Sequence, residues 1–242
     1  MMSILGKIVV RIKGLFFFCM NLYRYVCVNT DRSFRVTLHD IWFRTFDRFK
    51  TAAYFDGDYF YQDLWAAQWL YDHAVRDHVD VASRVDGFVA HILPFCKVTY
   101  IDIRPLKVNN VNFKFLQGSI LELPFADNSV ESLSCLHVLD HVGLGRYGDM
   151  VDPDSYTRAA RELERVLKPG GVLLLSVPVG RQRLCFDAHR VFDPQTIVNL
   201  FPALTMGEFS LIDDAAAEIQ VRAFFESARQ CEYGCGLFAF QK

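Results

Sequence analysis

His78-Val79-Asp80-Val81-Ala82-Ser83-Arg84-Val85-Asp86-Gly87 begins as a short apolar run, reaches an acid at Asp80 and breaks into small and polar residues. An apolar, helix-compatible segment, Phe88–Leu93, follows. Strand, tight turn and helix in that order build a nucleotide pocket in an open α/β sheet. The turn offers main-chain N–H groups and a helix N-terminus to the ligand. Val98–Ile103 is a second β-rich run, and it carries another acid, Asp102. The separation of about 20 residues matches an acid that accepts hydrogen bonds from ribose hydroxyls.

Working outward, Phe113–Gln117 reads as a third strand and Val130–Val138 as a buried fourth. Val172–Val177, apolar but for Ser176, reads as a fifth that is covered on both faces. Pro153-Asp154 opens a helix with Ala159, Leu163, Val166 and Leu167 on one face, and Lys168-Pro169-Gly170-Gly171 stops it. Asp193-Pro194 opens another through Leu200, and Phe209–Ile212 with Gly236–Phe240 form a last antiparallel pair at the sheet edge. Strands alternating with helices give a doubly wound, mostly parallel α/β sheet.

Composition sets limits. With 242 residues, 52% hydrophobic and 22% charged, the chain has enough apolar surface for a large core. A net charge of −2 and the lack of a basic-aromatic surface argue against a nucleic-acid partner. The seven cysteines include no Cys-x-x-Cys pair and read as reduced thiols in a cytoplasmic setting. Cys185, His189, Cys231 and Cys235 lack the tight spacing of a zinc site, so no metal is expected.

Residues 3–28 carry Leu5, Ile8, Ile12, Leu15, Cys19, Leu22 and Val26 at helical spacing, with Lys7, Arg11, Lys13 and Arg24 among them. The longest uncharged run, Gly14–Tyr23, is too short to span a bilayer, and no signal-type cleavage site is seen. Two readings stand: a helix packed on its own domain or a partner subunit, or a basic amphipathic helix on a membrane surface. Arg32–Thr51 reads as further helix, which makes residues 1–53 an N-terminal helical extension and 54–242 the main domain. Gly57 marks a turn before a helix through Leu64, Trp65, Gln68, Trp69 and Tyr71. Its aromatics either cover the sheet edge or, with Tyr59, Gln62 and Asp63, close the pocket.

Three segments together resemble a class I S-adenosylmethionine-dependent methyltransferase: Leu123-Pro124-Phe125-Ala126-Asp127-Asn128-Ser129, Leu139-Asp140-His141, and Arg165-Val166-Leu167-Lys168-Pro169-Gly170-Gly171. A closer resemblance, to the methyltransferase-like "domain of unknown function 268" family, rests on five others. These are Tyr59-Phe60-Tyr61-Gln62-Asp63-Leu64-Trp65-Ala66, Ser83-Arg84-Val85-Asp86-Gly87-Phe88, Asp102-Ile103-Arg104-Pro105, Gly143-Leu144-Gly145-Arg146-Tyr147-Gly148-Asp149 and Ala188-His189-Arg190-Val191. The resemblance implies a Rossmann-like methyltransferase fold and S-adenosylmethionine as cofactor. It implies that Asp80, Ala82, Ser83, Arg84 and Gly87 form the methionine loop, that Asp102 holds the ribose, that Ser119 faces the adenine, and that His137–His141 lie beside the sulfonium. Two departures follow. The usual glycine positions read Ala82, Arg84 and Asp86, and Ser119 replaces an acid.

Methyl transfer needs orientation, and a base when the acceptor must lose a proton. His141 is the expected base, Asp140 its orienter, and His189 a third catalytic candidate. His137 reads either as a satisfied core residue or as part of the pocket. Arg146, Tyr147, Arg190, Gln62 and Asp63 are the candidates for binding a small-molecule or glycan-type acceptor; the alternative for His189-Arg190 is an ion pair with Asp187 or Asp193. Arg146, Tyr147 and Asp149 also sit in a glycine-rich loop suited to a lid. A catalytically inactive module that binds a partner or membrane, or a nucleotide-sugar site at Arg84, remain as alternatives.

Overall fold

The computed structural model describes residues 4–43, 47–49 and 57–242. The chain divides into two compact units, Met1–Phe55 and Asp56–Lys242. In the first, the apolar spacing forms α1 (Ile4–Val28). The helix expected over 32–51 is replaced, among the described residues, by single 3-10 turns at Arg32–Phe34, Leu38–Asp40 and Asp47–Phe49. Asp31 explains the first: its carboxylate accepts from Ser33 N and Oγ, while Arg35 is already extended at ψ 141°, so the turn cannot propagate. Residues 44–46 and 50–56 lie outside the described chain.

The second unit opens with α2 (Gly57–Asp72) and then alternates. β1 (Asp77–Val81) leads into a π-helical turn, Val85–Val89, and one turn of helix, α3 (Ala90–Ile92). β2 (Lys97–Asp102), β3 (Phe113–Gln117) and β4 (Val130–Leu136) follow. After α4 (Ser155–Val166) the chain enters β5 (Leu167–Val179), paired with β4 through a bulge that takes up Pro169–Gly171. A small hairpin, β6 (Arg183–Cys185) and β7 (His189–Val191), precedes α5 (Pro194–Leu200), whose N-terminus is capped by Asp193. β8 (Thr205–Ile212), α6 (Phe225–Gln230) and β9 (Gly234–Gln241) complete it. The hairpin and α6 carry no sequence pattern that announced them.

The sheet order is β3-β2-β1-β4-β5-β9-β8. Five strands pair in parallel, and β9 runs antiparallel between β5 and β8. The expected final antiparallel pair forms, but only β8 is an edge; β9 lies inside the sheet. Both faces are covered. Leu70, Phe88 and Ile92 pack on one side, and Ala159, Leu163, Val166 and Ile197 on the other. The apolar runs of β4 and β5 are therefore buried on both faces, as continuous apolar strands require. Strand order reverses between β1 and β4, and open α/β sheets place their ligand crevice at such a switch point.

Candidate active site

At that switch point lies a cleft, partly open to solvent. It is lined by Val81 and Ala82 at the end of β1, Ile101–Arg104 at the end of β2, Gly118–Leu121 after β3, His137–Val138 and His141–Gly143 after β4, and Tyr147, Asp149, Met150 and Ser155. Its mostly apolar walls with a few polar groups suit a small ligand.

Ala82 has φ +56°, the left-handed conformation that favours glycine, and its N–H donates to Ile101 O at 2.8 Å. The turn thus keeps its geometry without the usual glycine. Asp80 lies behind it, fully buried. Its carboxylate accepts from Ser83 N (3.0 Å), Ser83 Oγ (2.6 Å) and Ser134 Oγ (2.5 Å). His78 extends this chain by bonding both Ser132 Oγ (2.7 Å) and Ser134 Oγ (2.8 Å). Burial drops the His78 pKa to about 3, so the ring is neutral, and raises that of Asp80 to about 6 against the pull of its serine donors. Asp80 and Ser83 therefore stiffen the wall and do not line the cleft.

Asp63 does related work from α2. A Cβ at Gly87 would stand 2.1 Å from Asp63 Oδ2, so glycine is what lets that carboxylate reach the turn. Gln62 donates to Asp63 (3.1 Å) and accepts from Ser176 Oγ (2.5 Å), and both residues are buried away from the cleft. Arg84 pairs with Asp86 at 3.3 Å and stacks 4.8 Å over the Tyr59 ring.

Asp102 stands at the cleft wall, but its carboxylate is fully engaged. Oδ1 accepts from Arg104 N (2.8 Å) and Nε (3.0 Å), and Oδ2 from Arg104 Nη2 (2.7 Å) and Tyr100 OH (3.3 Å). A carboxylate offers about four acceptor positions, and all are taken. Burial pushes its pKa up, yet the Arg104 bonds and charge outweigh that and hold it below the usual value. Arg104 in turn lies 4.7 Å over Tyr147, which bridges the cleft toward His141, ring to ring 5.5 Å.

Three groups after β4 behave in the opposite way. His137, at φ +50°, lines the cleft, and its buried Nε2 has no hydrogen-bond partner. Asp140 is 1% exposed, and among the described residues neither of its oxygens has a hydrogen-bond partner. His141 Nδ1 faces Ala188 O at 2.5 Å, which assigns the proton to Nδ1, while Nε2 lies 3.3 Å from Asp140 Oδ2, outside hydrogen-bond geometry. Burial depresses His141 to about 4 and His137 to about 3, with neighbouring charged or histidine groups adding to it. Burial lifts Asp140 to about 7. Asp140, and not His141, is thus the group that titrates near neutrality.

Arg146, His189 and Arg190 lie outside the cleft wall. Arg190 donates to the carbonyls of Val142 (2.7 Å), Pro153 (3.3 Å) and Asp140 (3.4 Å) and packs over Tyr156. It pairs with neither Asp187 nor Asp193, the latter being held by Arg229. Arg146 donates to Ala188 O (2.9 Å), and His189 stacks on Tyr233. Ser119 lines the cleft, its Oγ accepting from Leu121 N. Arg104, Met150 and Ser155 were not among the sequence candidates; only Arg104 had a signal, since residues i and i+2 of an extended segment share a face. Among the described residues no three His, Cys, Asp or Glu side chains converge on a metal position.

The sequence profile of the family described as "Caenorhabditis protein of unknown function, DUF268" matches residues 97–230. The chain belongs to that family. No curated protein sequence matches it. Among solved structures, this DUF268 chain is similar to the N-methyltransferase NodS from Bradyrhizobium japonicum WM9 in complex with S-adenosylhomocysteine. The identity is 17% over 93% of this chain and 98% of that one, with a TM-score of 0.54. It is also similar to the Burkholderia thailandensis 1,6-didemethyltoxoflavin-N1-methyltransferase, solved with its acceptor and S-adenosylhomocysteine. Here the values are 16%, 75% and 78%, with a TM-score of 0.54. The [4+2]-cyclase SpnF is similar too, at 13% identity over 96% and 95%, with a TM-score of 0.50. These likenesses establish the class I methyltransferase fold for the DUF268 chain, and the cyclase shows that this fold also hosts other reactions.

Proposed function

We propose that the protein is an S-adenosylmethionine-dependent methyltransferase with a small-molecule acceptor. The observation that carries this reading is the cleft at the β1/β4 switch point, with Asp102 and His137 in its lining, the buried His137 Nε2 being without a hydrogen-bond partner among the described residues, and with the equally unpartnered Asp140 beside His141 behind the wall. Unpaired buried polar atoms are costly, and a site that is completed by its ligand accounts for them. In this reading Ile101, Ile103, Ile120 and Val138 flank the adenine, Asp102 takes the ribose hydroxyls, and Ala82 meets the amino-acid end. The bound cofactor would supply an electrophilic methyl group. The chain's own part is to orient the acceptor and, where it must lose a proton, to take that proton at the Asp140–His141 pair, of which His141 lines the cleft. Tyr147, Asp149 and Ser155 make the rim polar, which suits a hydroxylated acceptor of carbohydrate type.

A second reading, a non-catalytic module, is favoured by the saturated carboxylate of Asp102. One titration separates them. Calorimetry with S-adenosylhomocysteine is expected to show micromolar binding that weakens about a hundredfold in Asp102→Ala, the loss of two bonds to a charged group. No heat with wild type would turn the assignment to the module.

A further inference from the structure

One face of α1 is already in use. Phe17, Phe18 and Tyr25 meet the chain that returns after the helix. Phe18 lies 4.7 Å from the Phe43 ring and Phe17 6.2 Å from Phe49. Arg48 sits over Phe17, and Tyr25 OH donates to Phe34 O. The opposite face is bare. Ile8, Ile12, Leu15, Cys19, Tyr23 and Val26, spaced by three and four, form one continuous stripe, with Ile12 65% and Tyr23 72% exposed. Phe16, 65% exposed, widens it. Exposed apolar stripes of this extent mark a binding surface.

The charges identify the occupant. At 100° per residue, Lys13 and Arg24 fall together along one border of the stripe, and α1 contains no Asp or Glu. Two copies of this face laid together would set lysine and arginine against one another with no acid to answer them. A second helix surface is therefore disfavoured. An anionic bilayer meets both features at once, with apolar side chains sinking into the acyl boundary while flanking cations reach the headgroups. No helix among the described residues is long and apolar enough to cross a membrane, which agrees with a helix lying flat. We propose that α1 docks this protein on an anionic lipid surface through the Ile8–Val26 stripe.

The test is flotation of the full chain with vesicles of phosphatidylcholine alone, and of phosphatidylcholine and phosphatidylserine in equal amounts. Wild type is expected to float with the anionic vesicles only, less so as salt rises. Lys13→Gln/Arg24→Gln is expected to bind about thirtyfold more weakly, two cations at roughly 1 kcal/mol each. Ile12→Asp/Phe16→Asp should lose binding as well, with the S-adenosylhomocysteine titration unchanged in both variants. Equal flotation with both vesicles, or none with either, overturns the proposal. So does a dimer in sedimentation that Ile12→Asp/Phe16→Asp dissolves, since the stripe would then cover a second copy.

Discussion

Asp102 closes β2 and Asp140 follows β4; both are buried acids, and their surroundings drive them apart. Asp102 accepts four hydrogen bonds, three of them from Arg104, and stays ionised below the usual carboxylate range. Asp140 has none and is lifted to about 7 by burial. Burial acts on both; an arginine two residues away decides the outcome for one. A carboxylate that is fully paired is suited to recognition, and one that is unpaired is suited to proton transfer.

The largest expected effect breaks the Asp140 side. A carboxyl whose folded pKa lies above its unfolded value costs nothing below about pH 4, where both states hold the proton. The cost grows through pH 4–7 as only the unfolded state ionises, and is complete above about 7. Asp140→Asn should therefore match wild type in denaturant unfolding at pH 4 and exceed it at pH 8, by up to about 4 kcal/mol. The same variant should lose the limb near pH 7 in any methyl-transfer profile while still binding S-adenosylhomocysteine. A variant less stable than wild type at pH 8 would place Asp140 with Asp102 as a satisfied acid, and equal stability at both pH values would mean that burial does not shift it.

Arg104→Ala attacks the other side. Emptying two acceptor positions on Asp102 is expected to tighten S-adenosylhomocysteine about tenfold by calorimetry, since the ribose no longer competes with the guanidinium. The main-chain bond from residue 104 persists, which keeps the gain modest. Weaker binding would make Arg104 part of the ligand site. Tyr147→Leu is the smallest step. It removes the stacking that holds Arg104 over the cleft, worth about 0.5–1 kcal/mol, so a two- to fivefold gain in association is expected by stopped flow.

Much of this was legible in the chain. β3 falls on the residues read for it, and β1, β2 and β4 differ only at their ends, because alternating and continuous apolar runs mark buried strands directly. Ala82 and Asp102 were found because turn and acid sit at a fixed spacing from β1. The contact of Asp63 with Gly87 was not legible, since nothing in either segment specifies that α2 packs on that turn. The order of titration at Asp140-His141 was hidden for a different reason. Adjacent histidine and acid read as base and orienter, respectively, and only their burial reverses the roles. The return segment after α1 misled because its charges and aromatics have no helical period.

The place of β9 has a consequence for how the chain comes together. It is synthesised after β8, yet it lies between β5 and β8 and bonds to both. Until it arrives, two strands face each other across a gap with their main-chain donors and acceptors unmet, and the layers on either side cannot close. Unpaired edges of that kind invite pairing with other chains. The nascent protein therefore passes through a stage in which its most apolar strand, β5, is open along one side, and a lesion that shortens β9 would strike the middle of the sheet.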